Sequence, residues 1–212
     1  MFTYSGFADE ITPDIEGQLA GLKEAGCTHL DIRGVGGKSV LDLTDQEVLR
    51  IKEKMAAAGI RMSSIGSAIG KIKPTDPFEP HVERFKRALD LADAFDAPFV
   101  RVFSFFVDEA GRKKHRDDIL RKIGILARAG KGRRALALHE NEGDVYGDNV
   151  AHVREVLEAS GGAWKAVFDP GNFVGAGVRP YDEAYPALKD EIRQVHVKDG
   201  RPGEPPARVA GD

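Results

Sequence analysis

Seven short apolar runs, each followed by a helical pattern, recur along the 212-residue chain at a nearly constant step. They lie near Phe2–Gly6, His29–Arg33, Arg61–Ile65, Phe99–Phe103, Ala135–Glu140, Ala166–Asp169 and Arg193–Val197. Their starts are 27 to 38 residues apart, close to the ~30 residues of one βα unit. The runs are rich in β-branched and aromatic residues, which suits strands. Between them the apolar residues fall at helical spacing. Thr12-Pro13-Asp14 opens a helix with Leu19, Leu22 and Ala25 on one face, closed by Gly26. Thr44 and Glu47 form a capping-box pattern ahead of Val48, Ile51 and Met55, with a stop at Gly59. The stretch Phe78 to Phe95 carries Phe85, Leu89 and Ala92, and His115 to Gly130 carries Ile119, Ile123 and Leu126. Asp148 to Ser160 carries Val150, Val153 and Leu157 before Gly161-Gly162, and a shorter helix follows over Tyr181 to Lys189.

Strands alternating with such helices imply a parallel α/β sheet. A doubly wound open sheet would place a glycine-rich phosphate turn after its first strand. Here that position reads Phe7-Ala8-Asp9-Glu10. Seven units in series fit a (β/α)8 TIM barrel better. Residues 1–212 are read as a single such domain, complete to strand seven. Only Lys198 to Asp212 follows, with Pro202, Pro205 and Pro206 in it. The expectation is therefore a partial eighth strand near Ala207-Arg208-Val209-Ala210, no eighth helix, and an open edge that a homodimer would cover.

Apolar residues make up 42% of the chain, enough for a packed core, and the net charge of −3 gives no reason to expect a nucleic acid partner. A lone cysteine, Cys27, excludes an internal disulfide and suits a reducing compartment. With no run of about 18 apolar residues and no basic, apolar leader, the expected location is the cytoplasm, without a membrane.

A (β/α)8 barrel carries its chemistry at the C-terminal strand ends. The fifth, sixth and seventh runs end in His139-Glu140-Asn141-Glu142, Asp169-Pro170-Gly171-Asn172 and His196-Val197-Lys198-Asp199. They present Glu140, Asp169 and His196, one βα unit apart. One imidazole and two carboxylates suit a divalent ion such as Mn, Mg, Co, Fe or Zn. Around them, Arg33 and Arg101 are candidates for a substrate phosphate or carboxylate, or for local pairing with acidic residues. Glu142 is a candidate for substrate hydroxyls, and Lys198 for steadying an oxyanion or pairing with Asp199. His139 should point away from its neighbour Glu140, and Trp164 should pack. The Gly34 to Ser39 segment lacks phosphate-loop spacing and reads as a flexible loop. The basic run Arg112 to Arg116 reads as a solvated helix start.

Leu138-His139-Glu140-Asn141, Val167-Phe168-Asp169-Pro170-Gly171-Asn172 and Val195-His196-Val197-Lys198-Asp199 resemble the xylose isomerase-like TIM barrels, as does the opening Gly6-Phe7-Ala8-Asp9-Glu10. That family includes sugar phosphate isomerases and epimerases, inosose dehydratases and isomerases, and endonuclease IV. The resemblance implies that Glu140, Asp169 and His196 are metal ligands and that Glu140 also serves as acid or base. It implies a fourth carboxylate after strand eight, to which Asp212 corresponds. Many relatives carry a histidine where this chain has Asn172, which stays a candidate for substrate contact. The nuclease reading is disfavoured, since His29, His81, His115 and His152 fall at a strand start or on helices. The expected function is a metal-dependent sugar or sugar phosphate isomerase or epimerase, moving a proton next to a carbonyl of a small polyhydroxylated substrate. The alternatives are an inosose dehydratase- or isomerase-like lyase, with Lys198 as a helper, and a non-catalytic fragment or binding scaffold.

Overall fold

The computed structural model describes residues 2–198, 200 and 201. Seven strands make one sheet in the order β1 (Ser5–Gly6), β2 (His29–Ile32), β5 (Arg61–Ile69), β6 (Phe99–Val102), β7 (Leu136–Glu140), β8 (Lys165–Phe168) and β9 (Ile192–Val195). The pairs β1–β2, β2–β5, β7–β8 and β8–β9 are parallel. Two further strands, β3 (Gly34–Val35) and β4 (Lys38–Ser39), form an antiparallel hairpin. The helices are α1 (Ile15–Glu24), α2 (Asp45–Ala58), α3 (Glu79–Phe95), α4 (Glu109–Ala129), α5 (Val150–Ala159), α6 (Pro170–Gly175) and α7 (Tyr185–Leu188). Sheet strands thus follow one another in sequence order, as a βα series requires. The expected strand at Ala207–Ala210, Asp199 and Asp212 lie outside the described residues.

The chain divides into two compact units. The first comprises residues 1–67, 83–100 and 133–135. Its core includes Leu30, Ile32, Ile65, Phe85, Leu89 and Val100, each at most 1% exposed; full burial of one such side chain contributes about 1.5–3 kcal/mol. The box before α2 forms as read: Glu47 N–H donates to Thr44 Oγ1 at 3.2 Å, and Thr44 N–H to Glu47 Oε2 at 2.8 Å. Val48, Ile51 and Met55 are buried, whereas Ala25, expected on the inner face of α1, is exposed. The Gly34 to Ser39 segment is the β3–β4 hairpin rather than a flexible loop. Gly36 and Gly37 turn it at φ +62° and +76°, the left-handed pair that a two-residue hairpin needs.

The second unit comprises residues 68–82, 101–132 and 136–212. Its core includes Phe103, Phe105, Ile119, Ile123, Leu138 and Phe173. Helix α4 begins six residues before the expected His115, because Asp108 caps it by accepting from Gly111 N–H at 2.6 Å. The basic run therefore lies inside the helix. Arg112 grips both oxygens of Asp148 at 2.5 Å, and Arg116 reaches Glu155 at 2.7 Å. Trp164 is 2% exposed, as a packing residue should be.

Candidate metal centre

Glu140 closes β7, Asp169 follows β8 and His196 follows β9. The registers Glu140↔Val167 and Phe168↔Val195 bring these three strand ends together. The ladder continues one residue further, with His196 N–H donating to Phe168 O at 2.9 Å. One ligating atom from each of the three residues lies within 4.8 Å of the other two. His196 Nδ1 is 3.2 Å from Glu140 Oε1 and 3.4 Å from Asp169 Oδ2. Donor atoms bound at about 2.0–2.1 Å to one ion sit about 2.8–3.0 Å apart in octahedral geometry and about 3.3–3.4 Å apart in tetrahedral geometry. The donor set, its burial and its spacing therefore fit a divalent cation.

Asp169 divides its two oxygens. Oδ1 accepts from Asn172 N–H at 2.8 Å and caps α6, while Oδ2 faces His196. Asn141, whose role the sequence reading left unassigned, fixes this aspartate from the neighbouring strand. Its side chain donates to Asp169 O at 2.9 Å and accepts from Asp169 N–H at 3.0 Å. Asn172 Nδ2 donates in return to Asn141 O at 2.9 Å. Lys198 Nζ donates to Asn172 Oδ1 at 2.6 Å and stands 3.8 Å from Asp169 Oδ2. Gly171 makes room for it, since a Cβ there would lie 2.8 Å from Lys198 Cγ.

The charges around Glu140 set its state. Burial favours the neutral acid, but His196, Arg101 and Lys71 outweigh it and hold the carboxyl below its ordinary range. Arg101 Nη1 lies 3.2 Å from Glu140 Oε2, which accepts no hydrogen bond from the described residues. Burial works against a charged His196, yet Asp169 and Glu140 raise it to about 9. His139 is fully buried, bonds Ser104 Oγ at 3.0 Å, and is pushed down to about 4 by that burial. It faces Ser104, not the metal set.

Of the other candidates, Arg101, Asn172 and Lys198 adjoin the three ligands. Glu142 pairs with Lys71 at 2.7 Å. Arg33 belongs to the first unit and pairs there with Asp9 at 2.9 Å and Glu10 at 3.0 Å. Lys71 is a residue that sequence reasoning passed over. The apolar pattern of the third run stops at Ile65, but β5 continues to Ile69, so the strand tip falls at Gly70-Lys71.

Residues 19–209 match the profile of a family described as xylose isomerase-like TIM barrel. No curated protein matches the chain. Among solved structures, a probable 3-DHS dehydratase from Bacillus anthracis superposes with a TM-score of 0.74 at 16% identity, over 93% of this chain and 73% of that one. A D-allulose 3-epimerase from Methylomonas sp., in complex with D-allulose, gives 0.72 at 16% identity, over 93% and 72%. A xylose isomerase-like TIM barrel protein from Mycobacterium smegmatis, in complex with magnesium, gives 0.69 at 19% identity, over 87% and 66%. At these identities the likeness is one of fold. No helix among the described residues is long and apolar enough to cross a membrane.

Proposed function

The chain belongs to the xylose isomerase-like TIM barrel family, and from that premise we propose that it is a divalent-metal-dependent isomerase or epimerase acting on a small polyhydroxylated carbonyl compound. The observation that carries this reading is the convergence of Glu140, Asp169 and His196 within 4.8 Å. The solved neighbours named for epimerase and dehydratase activities agree with it.

In this reading Glu140, Asp169 and His196 hold the ion, with a fourth carboxylate expected from Asp212. When bound, a divalent ion supplies Lewis acidity toward carbonyl and hydroxyl oxygens. The protein does the rest. His196, Arg101 and Lys71 favour the ionised form of Glu140, the form able to take a proton from carbon next to a carbonyl. Asn141 holds the Asp169 backbone and Asn172 N–H holds its Oδ1, which keeps Oδ2 directed at His196. Lys198, aimed by Asn172, places a cation where an oxyanion develops. That lysine also favours a second reading, a lyase acting on a cyclitol or related ring, in which Lys198 assists the departure of a hydroxyl.

Metal content by mass spectrometry tests the proposal, on the wild type and on a variant combining Glu140→Ala, Asp169→Ala and His196→Ala. The expected result is about one divalent ion per chain, lost in the variant, followed by turnover in a screen of ketoses and inososes with Mn²⁺, Mg²⁺ or Co²⁺. A wild type that takes up no ion after soaking would overturn it.

A further inference from the structure

Two charged side chains beside Glu140 have no part in the metal set. Lys71 Nζ lies 2.9 Å from Glu142 Oε1 and 2.7 Å from Glu142 Oε2. The same ammonium sits 4.3 Å from the centroid of the Phe103 ring, which also carries the Arg101 guanidinium at 4.9 Å. Arg101 reaches Glu140, so the five residues form one row. The side chains of Lys71 and Glu142 are 29% and 31% exposed, those of Arg101 and Glu140 only 10% and 7%. The outer pair is the more open to solvent, although Glu142 Oε2 itself is buried.

The backbone holds that outer pair in place. Phe105 N–H donates to Gly70 O at 2.7 Å, and Phe106 N–H to Ile72 O at 2.9 Å. Val107 N–H donates to Asp144 O at 2.9 Å, and Tyr146 N–H to Phe105 O at 3.0 Å. The segments carrying Lys71, Phe103 and Glu142 are therefore stitched into one rim.

We propose that the Lys71–Glu142 pair is the subsite for the substrate hydroxyls remote from the metal, and that it selects an uncharged polyhydroxyl chain over a phosphorylated or carboxylated one. The proposal rests on the isomerase or epimerase reading. A hydroxyl both donates and accepts, and the pair offers an ammonium donor next to a carboxylate acceptor. It can satisfy a hydroxyl, or two adjacent ones, with no change in local charge. An anionic group drawn to Lys71 meets the like charge of Glu142 at the same moment, and the attraction is cancelled.

The test uses the full chain loaded with Mn²⁺ and three probes in titration calorimetry: D-fructose, D-fructose 6-phosphate and inorganic phosphate. The expected wild type binds fructose about tenfold or more tighter than its 6-phosphate and shows no phosphate binding. Glu142→Gln keeps the shape and removes the opposing charge. It should raise affinity for fructose 6-phosphate about tenfold and make phosphate binding measurable, and adding Lys71→Met should abolish both gains. A wild type that binds the two sugars equally, or a Glu142→Gln variant with unchanged phosphate and sugar phosphate binding, would overturn the proposal. If neither sugar binds the loaded wild type, the isomerase or epimerase reading is what fails. Inorganic phosphate then still decides on the pair: binding gained in Glu142→Gln supports charge selection, and no gain refutes it.

Discussion

Asn172 Oδ1 accepts a 2.6 Å hydrogen bond from Lys198, and the same residue's backbone N–H is capped by Asp169. One asparagine thus ties the proposed oxyanion cation to a proposed metal ligand. Lys198→Met should lower kcat about 10²–10³-fold, the loss typical of an oxyanion donor, with metal content unchanged. Asn172→Ala should lower it less, because the charge of Lys198 survives its misplacement. Steady-state kinetics on the substrate found by screening, paired with metal analysis, checks both; loss of the ion in Lys198→Met would contradict the assignment.

The two histidines beside and within the site make stability without metal depend on pH in opposite senses. His196 is raised to about 9, so the folded state binds more protons than the unfolded one between its ordinary value of 6.5 and 9. Its contribution is complete below 6.5 and is lost as pH rises through 9. His139 is lowered to about 4, so the unfolded state binds more protons between 4 and 6.5, and stability falls as pH drops through that range. Chelator-treated protein should therefore be most stable near neutral pH, by urea unfolding across pH 4 to 9. His196→Gln should flatten the alkaline side of the profile.

Metal loading should release a proton. His196 carries one at pH 7.5, and an imidazole must shed it to become a ligand. Calorimetry in buffers of different ionisation enthalpy should count about one proton released per ion. Saturation at about 100 times the dissociation constant should add about 2.7 kcal/mol of stability. A proton count of zero would show that the ion does not displace the His196 proton.

Gly70 and Gly132 both have left-handed backbones, at φ +92° and +82°. A Cβ at Gly70 would drive into the backbone carbonyl of Phe103, whereas Gly132 faces open space. Gly132→Ala should cost about 1–2 kcal/mol, the penalty of the left-handed conformation. Gly70→Ala should cost more, because the rim must shift as well. Equal midpoints in denaturant would mean that the close approach at Gly70 carries no weight.

Much of this arrangement was legible in the chain itself. The βα step placed every sheet strand to within a few residues, and Glu140, Asp169 and His196 followed from strand ends alone. Other parts depended on interactions without a local signature. Lys71 was hidden because Gly66 and Ser67 interrupt the apolar pattern after Ile65, yet β5 continues through them to Ile69. Helix α4 began early because Asp108 caps it, and an isolated aspartate is also a common turn residue. The bonds of Asn141 to the Asp169 backbone join residues 28 apart, a relation no sequence window contains. For the first strand the apolar pattern overstated the element: Phe2 and Tyr4 are exposed, and pairing starts only at Ser5.

The stitching of residues 70–72, 103–107 and 144–146 bears on any attempt to retarget the protein. Loop grafting usually treats each connection after a barrel strand as an exchangeable part. Here the loops share a ladder of main-chain bonds, so a donor loop moved alone would strand donors and acceptors on its neighbours. Transplants from relatives should succeed when the three segments travel together as a cassette, and that trio is the natural unit for recombination libraries.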